Sequence, residues 1–439
     1  MTVTAAVPET ALPPSPRTFA QRQQIRRNVL AQGAVFGVGA LSFVQIANFT
    51  ATGLSIACLL LVPGYLFVGQ RAVDLVPVVL AALGWLGYLV ACVVNGADPF
   101  GPTALAPLAF GLYVMGLTVL VGRSIRSILT VLAGIAAGTV LYHVIWGIEL
   151  TNTGSFLDLW KYGIAGAVTI LVLFVLVVLG VRPAFHPLAL GLLAVVSLVF
   201  NYRSHALICL VAAMLLFTGR VIAPRVGRGW QYVAVFGGAA VFAVLMPIVA
   251  RAGLLGSALQ AKIAQQDASH LPILFAGRTE PPLSFTAIAA HPLVGWGSVD
   301  RVTPEVVTDA VHLAIRLGYA PTLPFDLYWR IPPDYTALHS ILLGSWAEGG
   351  VLALLLPVWL LGACVALMWN HPRFGVWSAM VVTVAIQGIW DLLYSPWSYN
   401  LLPVYACIAL LFVAMPPASA TTPAPRVGRA RRGFGWRRE

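Results

Sequence analysis

The sequence predicts an all-α polytopic membrane protein, and three observations carry that prediction. Of its 439 residues 59% are hydrophobic and only 9% charged, with a mean hydropathy of +0.87, which excludes an ordinary soluble domain. The apolar residues form continuous blocks rather than alternating ones, so a backbone that must satisfy its own hydrogen bonds in lipid does so as helices, not as a barrel. The basic residues cluster between the blocks on one side.

Apolar runs of roughly 17 to 25 residues give about twelve transmembrane helices, at 29–48, 51–69, 73–94, 103–121, 127–147, 162–181, 186–201, 203–218, 231–250, 339–368, 376–393 and 397–415. Arg17, Arg22, Arg26 and Arg27 precede the first run, so residues 1–28 are expected as a cytoplasmic tail before a retained helix, not a cleaved signal. Nine helices then fill 29–250, and three fill 339–415. The seventh and eighth touch at "FNYRSH". Glycine and proline inside the runs are ordinary for bilayer helices.

With the N-terminus inside, the inner segments hold 18 of the 26 Lys and Arg, and 12 of the 15 acids fall on the outer side. The net charge of +11 is therefore a topology signal with both termini inside. The tail 416–439, with "RVGRARRGFGWRRE", is expected to meet anionic lipid headgroups; no nucleic acid partner is expected. Cys58, Cys92, Cys209, Cys364 and Cys407 all lie inside apolar runs without paired spacing and read as small buried hydrophobes, not a disulfide framework or metal knuckle.

One segment, 251–338, is too long for a bundle connection and falls on the outer face. In it "VTPEVVTDAVHLAIRLG" has an N-cap at Thr303, Pro304 at the first helical position and apolar residues at helical spacing. "GLLGSALQAKIAQQ" reads as a second short amphipathic helix. The segment is expected to be a partly helical lid or cap.

Four places join a basic or titratable group to an outer membrane mouth: Arg203 with His205 in "FNYRSHALICLV", Arg278 in "LFAGRTEPP", His291 in "AIAAHPLVGWGSV" and His339 in "DYTALHSILLGSWAEGG". Ionisable groups at membrane depth are functional hypotheses by default. Against this, Arg203 could snorkel to headgroups, His291 before Pro292 and "GWG" reads as a turn residue, and His312 as a solvated face residue. Arginine grips a phosphate or diphosphate through paired charge-assisted hydrogen bonds. Histidine takes a proton from a hydroxyl near neutral pH. Together they suit glycosyl transfer from a lipid diphosphate. The early outer segments "NFTAT" and "NGADPFGPT" hold one carboxylate between them, and H-E-x-x-H, paired Cys, Walker and GxSxG motifs are absent, so an enzyme built on these residues is expected to work without a metal or cofactor.

This order of features resembles the O-antigen ligase and O-antigen polymerase superfamily of bacterial envelopes, through "NYRSHALICLV", "AGRTE…SFTAIAAHPLVGWGSV" and "LHSILLGSWAEGGVLALLL". The resemblance implies a GT-C-like fold in a bacterial inner membrane. It implies a metal-independent, inverting glycosyltransferase working at the outer leaflet. The donor would be an undecaprenyl-diphosphate-linked glycan and the acceptor a glycolipid sugar in a ligase, or another lipid-linked glycan in a polymerase. Carried over, Arg203 and Arg278 would bind the diphosphate and His339 would activate the acceptor hydroxyl.

His205 departs from the small or apolar residue that the family places there, leaving open a shared base role or a local hydrogen bond. Arg301, Arg316 and Arg330 could line the acceptor groove, or be solvated. Lys161 could add positive charge, or pair with Asp158 three residues earlier. Glu348, nine residues after His339, would lie on the far side of a regular helix and is expected to be structural. A transporter or flippase of lipid-linked sugars is the alternative outside this family, predicting internal repeats and mid-span charges; no convincing repeat is visible. A nonenzymatic scaffold would leave the outer Arg and His set unexplained.

Overall fold

The computed structural model describes residues 16–47, 51–147, 156–221, 225, 227–253, 260, 279–325, 329 and 338–417. Among them the one sheet is a short antiparallel hairpin, β1 (Gln45–Ala47) with β2 (Ala51–Thr52), Gln45 opposite Thr52; the rest of the regular structure is helical. The helices are α1 (Pro16–Ala40), α2 (Gly53–Tyr65), α3 (Ala72–Asn95), α4 (Pro102–Val121), α5 (Ile125–Trp146), α6 (Ala165–Val178), α7 (His186–Val199), α8 (Arg203–Val221) and α9 (Arg228–Arg251). They continue as α10 (Pro281–Ala290), α11 (Pro304–Arg316), α12 (Ile341–Asn370), α13 (Ser378–Tyr394) and α14 (Leu402–Val413). Among the described residues seven helical stretches are long and apolar enough to cross a membrane, and three shorter apolar helices lie among them. This is an all-α membrane protein.

Several boundaries depart from expectation. Helix α1 starts at Pro16, inside the expected tail 1–28, because "AQRQQIRRNVL" contains no helix breaker. It ends at Ala40 rather than 48, where a 3-10 turn (Leu41–Phe43) leads into the hairpin and the Ser42 hydroxyl donates to the Ile135 carbonyl at 3.3 Å. The expected helix 339–368 begins at Ile341 instead, with Ser340 as its N-cap accepting from the Leu343 N–H at 3.1 Å. The expected 397–415 shrinks to α14 because 395–401 forms a loop across one end of the bundle.

The tight "FNYRSH" junction holds. Asn201 takes φ 54°, the one non-glycine at positive φ among the described residues, which lets Tyr202 N–H return to the Ser197 carbonyl at 2.7 Å and close α7 before α8 starts.

Without a hydrophobic drive between helices in lipid, close packing comes from small residues. Helices α1 and α5 cross at Gly39 and Gly134; a Cβ on Gly39 would lie 3.1 Å from the Gly134 Cα. Helix α3 meets α12 at Gly87, where a Cβ would come 2.7 Å from the Gly349 carbonyl oxygen. The main core joins Phe110, Leu117, Leu132, Leu360, Met380 and Ile408, all fully buried.

The long segment has a separate core. Helices α10 and α11 enclose Leu283, Ala287, Val307, Ala310 and Ala314 with Trp296, and this cluster extends to Leu338 and Ala347 at the start of α12. Helix α11 starts where the sequence places it, after Thr303 with Pro304 first, its buried face Val307, Ala310 and Ala314. The expected amphipathic helix at "GLLGSALQAKIAQQ" lies, apart from Gly253 and Gln260, outside the described residues. The cap therefore sits on one end of the bundle, called here the cap end.

Candidate functional site

His339 lies at the cap end, immediately before the N-cap of α12. Ser340 fixes the backbone there: its N–H bonds to the Leu338 carbonyl at 2.7 Å and its hydroxyl to the Leu392 carbonyl of α13 at 3.3 Å. The ring is half-exposed, and its Nδ1 lies 3.0 Å from Oε1 of Glu280, a carboxylate only 16% exposed. Glu280 is itself held where Pro281 and Pro282 open α10, its carbonyl taking the Ser284 N–H at 3.0 Å and hydroxyl at 3.2 Å. Trp329 Nε1–H pins the preceding Thr279 carbonyl at 2.8 Å. Burial, with the Glu280 carboxylate second, pushes the Tyr319 phenol beside it up to about 12, so Tyr319 stays a neutral donor in the cap. The contact is electrostatic, since Nδ1 of His339 is not aligned for a hydrogen bond; a carboxylate beside it favours the ring form with hydrogen on Nδ1 over one that turns a lone pair to the negative oxygen.

The "HPLVGWGS" turn locks the cap to the bundle. Its backbone bonds to a break in α12: Trp296 N–H to Ala347 O at 2.9 Å, Gly297 N–H to Glu348 O at 2.7 Å, and Val351 N–H to Leu293 O at 3.1 Å. The break is Gly350, at φ 69° and ψ −165°, and Gly295 and Gly297 of the turn also have positive φ, at 78° and 77°; only glycine adopts these conformations freely at such close approach. Helix α3 contributes Asn95, whose amide donates to Gly295 O at 3.0 Å. His291 stacks on Trp296 with ring centroids 3.9 Å apart, the turn role expected for it. Glu348, buried, meets the Val299 N–H through its side chain. It is structural, as expected, but the reason differs: His339 precedes the helix and has Glu280 as its carboxylate.

Arg203, half-buried, is the first residue of α8. His205, one half-turn on, is 1% exposed, so it faces the bundle interior. Its Nε2 lies 2.9 Å from Thr169 Oγ1 of α6 and 3.5 Å from Cys209 Sγ, and Gln387 of α13 faces the same ring. Gln387 Nε2 reaches both oxygens of Asp391, at 3.0 and 2.9 Å, and the Ser395 hydroxyl donates to Asp391 Oδ1 at 3.2 Å. Leu392, next in chain, carries the carbonyl bonded to Ser340. Since α8 and α13 pack against each other and five helical residues rise about 7.5 Å, Arg203 and His339 occupy the same end of the bundle, joined through His205, Gln387 and Asp391.

The other expected residues are more scattered. Arg301, in the 3-10 turn Val299–Arg301 below the docked loop, is exposed. Lys161 sits in the π-helical stretch Leu159–Ile164, its ammonium 2.6 Å from the Tyr162 hydroxyl and 4.3 Å over that ring. His312 and Arg316 are exposed on α11. Arg278 and Arg330 lie outside the described residues. Sequence reasoning missed Glu280, which stood two places beyond Arg278 and directly before a Pro-Pro helix start, and Asp391, a lone acid within "IQGIWDLLY". The second was detectable, because an acid inside an apolar run is a functional signal by itself.

Compared with protein-family models, curated proteins and solved structures, the chain finds no match in any of the three.

Proposed function

We propose that this protein is a membrane glycosyltransferase that moves a glycan from an undecaprenyl-diphosphate carrier to a sugar hydroxyl at the outer leaflet, the cap end being the outer end. The observation that carries the reading is the His339–Glu280 pair, 3.0 Å apart at the rim of the bundle under a docked cap. A half-exposed imidazole with a partly buried carboxylate beside one ring nitrogen is the arrangement of a general base. Arg203, at the same end, supplies the positive charge that a departing diphosphate needs; Arg278, two residues before Glu280, is assigned the same task through the family resemblance. In this reading twelve spans form a GT-C-like bundle in a bacterial inner membrane with both termini cytoplasmic. Glycan ligation to a glycolipid is the first choice of acceptor chemistry, and polymerisation of lipid-linked units uses the same residues.

The test is glycan transfer by the purified protein in lipid. His339→Ala is expected to lower turnover by roughly 10²–10⁴-fold, the range of general base catalysis, while the protein still inserts and keeps its thermal midpoint. Wild-type turnover by that variant would remove the assignment. A transporter of lipid-linked sugars is the second reading, supported by the buried His205 and Asp391 inside the bundle; movement of a fluorescent lipid-diphosphate sugar across vesicles without product formation would favour it.

A further inference from the structure

The His205, Gln387 and Asp391 chain constrains its own protons. Thr169 Oγ1 lies 3.0 Å from the Ala165 carbonyl oxygen and 2.9 Å from Nε2 of His205; with its one hydroxyl hydrogen on the carbonyl it accepts from a ring hydrogen on Nε2. Nδ1 of His205 and Oε1 of Gln387 then have no aligned partner among the described residues, although the two side chains face each other. Gln387 has turned its NH₂ to the two Asp391 oxygens, so its carbonyl end is left for His205. A carbonyl and a bare Nδ1 both accept and cannot bond; a second ring hydrogen, on Nδ1, makes them a pair. Asp391 is 8% exposed, and among the described residues no lysine or arginine pairs with it. An uncompensated charge of either sign here would be costly.

We propose that His205, Gln387 and Asp391 form a proton-binding site in the bundle that holds one proton beyond the ring's Nε2–H, exchanged between the histidine and the carboxylate by rotation of the glutamine amide. In one arrangement Nδ1–H donates to Oε1 and Nε2 of Gln387 donates to an ionised Asp391. In the other the Nδ1–H bond of His205 is broken and an O–H bond on Asp391 is formed; the amide is turned over, so that Asp391 donates to Oε1 and Nε2 donates to the bare Nδ1. Atoms and charge balance, and both arrangements are net neutral with each of the three groups hydrogen-bonded to its neighbour. The other titratable groups facing the chain are Cys209 and Tyr202 beside His205, and Cys364 of α12 and Tyr405 of α14 beside Asp391; none of them is a cation. The chain runs from the interior to the loop that carries Ser395, behind the mouth where His339 sits, but the inference does not depend on what His339 does.

The experiment is magnetic resonance of the full chain in lipid nanodiscs, with ¹⁵N-histidine and ¹³C-aspartate labels, resonances being assigned by His205→Asn and Asp391→Asn. Near neutral pH the fraction of His205 rings protonated at Nδ1 and the fraction of Asp391 carboxyls protonated should add to one. Asp391→Asn should leave the ring protonated on Nε2 alone, with loss of any Nδ1–H signal. Gln387→Leu should uncouple the two, so that ring and carboxyl titrate independently; Gln387→Met serves if the leucine variant does not fold. An ionised Asp391 beside a singly protonated ring, or both groups protonated together, would overturn the proposal, as would coupling that survives loss of the amide.

Discussion

At the scale of single residues, the site is a set of polar atoms with few choices. Glu280 places its carboxylate 3.0 Å from Nδ1 of His339, which favours a hydrogen on that nitrogen. Glu280→Gln keeps the shape and an accepting oxygen but removes the negative charge beside Nδ1 of His339. We expect kcat to fall by roughly ten- to a hundredfold with little change in KM, less than for loss of the base itself; a larger change in KM than in kcat would mark Glu280 as a substrate contact instead. Gly350 is constrained by backbone alone. Alanine there would force a side chain into φ 69° and against the Leu293 carbonyl, costing about 2 kcal/mol or more. The expected result is a lowered thermal midpoint and earlier proteolysis in the 291–298 turn, and an unchanged midpoint would show that the turn does not depend on the break.

At the scale of elements, the architecture depends on where backbones approach. The crossing of α1 and α5 leaves no room at Gly134, where a Cβ would meet the Ala40 nitrogen at 3.0 Å, whereas Gly37, on the same α1, has nothing within 4 Å of the added atom. Gly134→Leu is therefore expected to destabilise by about 1–3 kcal/mol through overpacking, while Gly37→Leu changes stability by less than about 0.5 kcal/mol. Equal effects of the two in a detergent melt would refute close packing as what joins these helices. The cap depends on the bundle in the same way: its turn borrows Ala347 and Glu348 carbonyls that a continuous helix would have used internally, so the break in α12 and the docking of the cap are one feature.

At the scale of the whole molecule, the described helices pack into a bundle that buries the cysteines. All five thiols are buried, none more than 1% exposed, and native protein in lipid should resist maleimide labelling while denatured protein reacts at all five; quick modification of the native chain would contradict the packing of α2, α3, α8, α12 and α14. Much of this was legible early. Apolar blocks fix helices in lipid because the backbone has no other partner there, so the apolar helices, the break between them and α12 and the Thr303–Pro304 start of α11 could be read from residues alone. The position of His339 at a rim rather than inside a span was also readable, since its neighbours "DYTALHS" are polar and break the run.

What residues alone determined is thus the material: an all-α chain, where its helices run, and which titratable groups stand at their ends. The partners of those groups are matters of tertiary structure. His339 and Glu280 are 59 positions apart in the chain, and His205 meets Gln387 from a different helix. No periodicity encodes such pairs, because hydropathy fixes that a helix is buried but hardly constrains its rotation or its neighbour. The choice of Glu280 over Glu348 followed from two local facts, the N-cap at Ser340 and the left-handed Gly350, that only the folded chain displays.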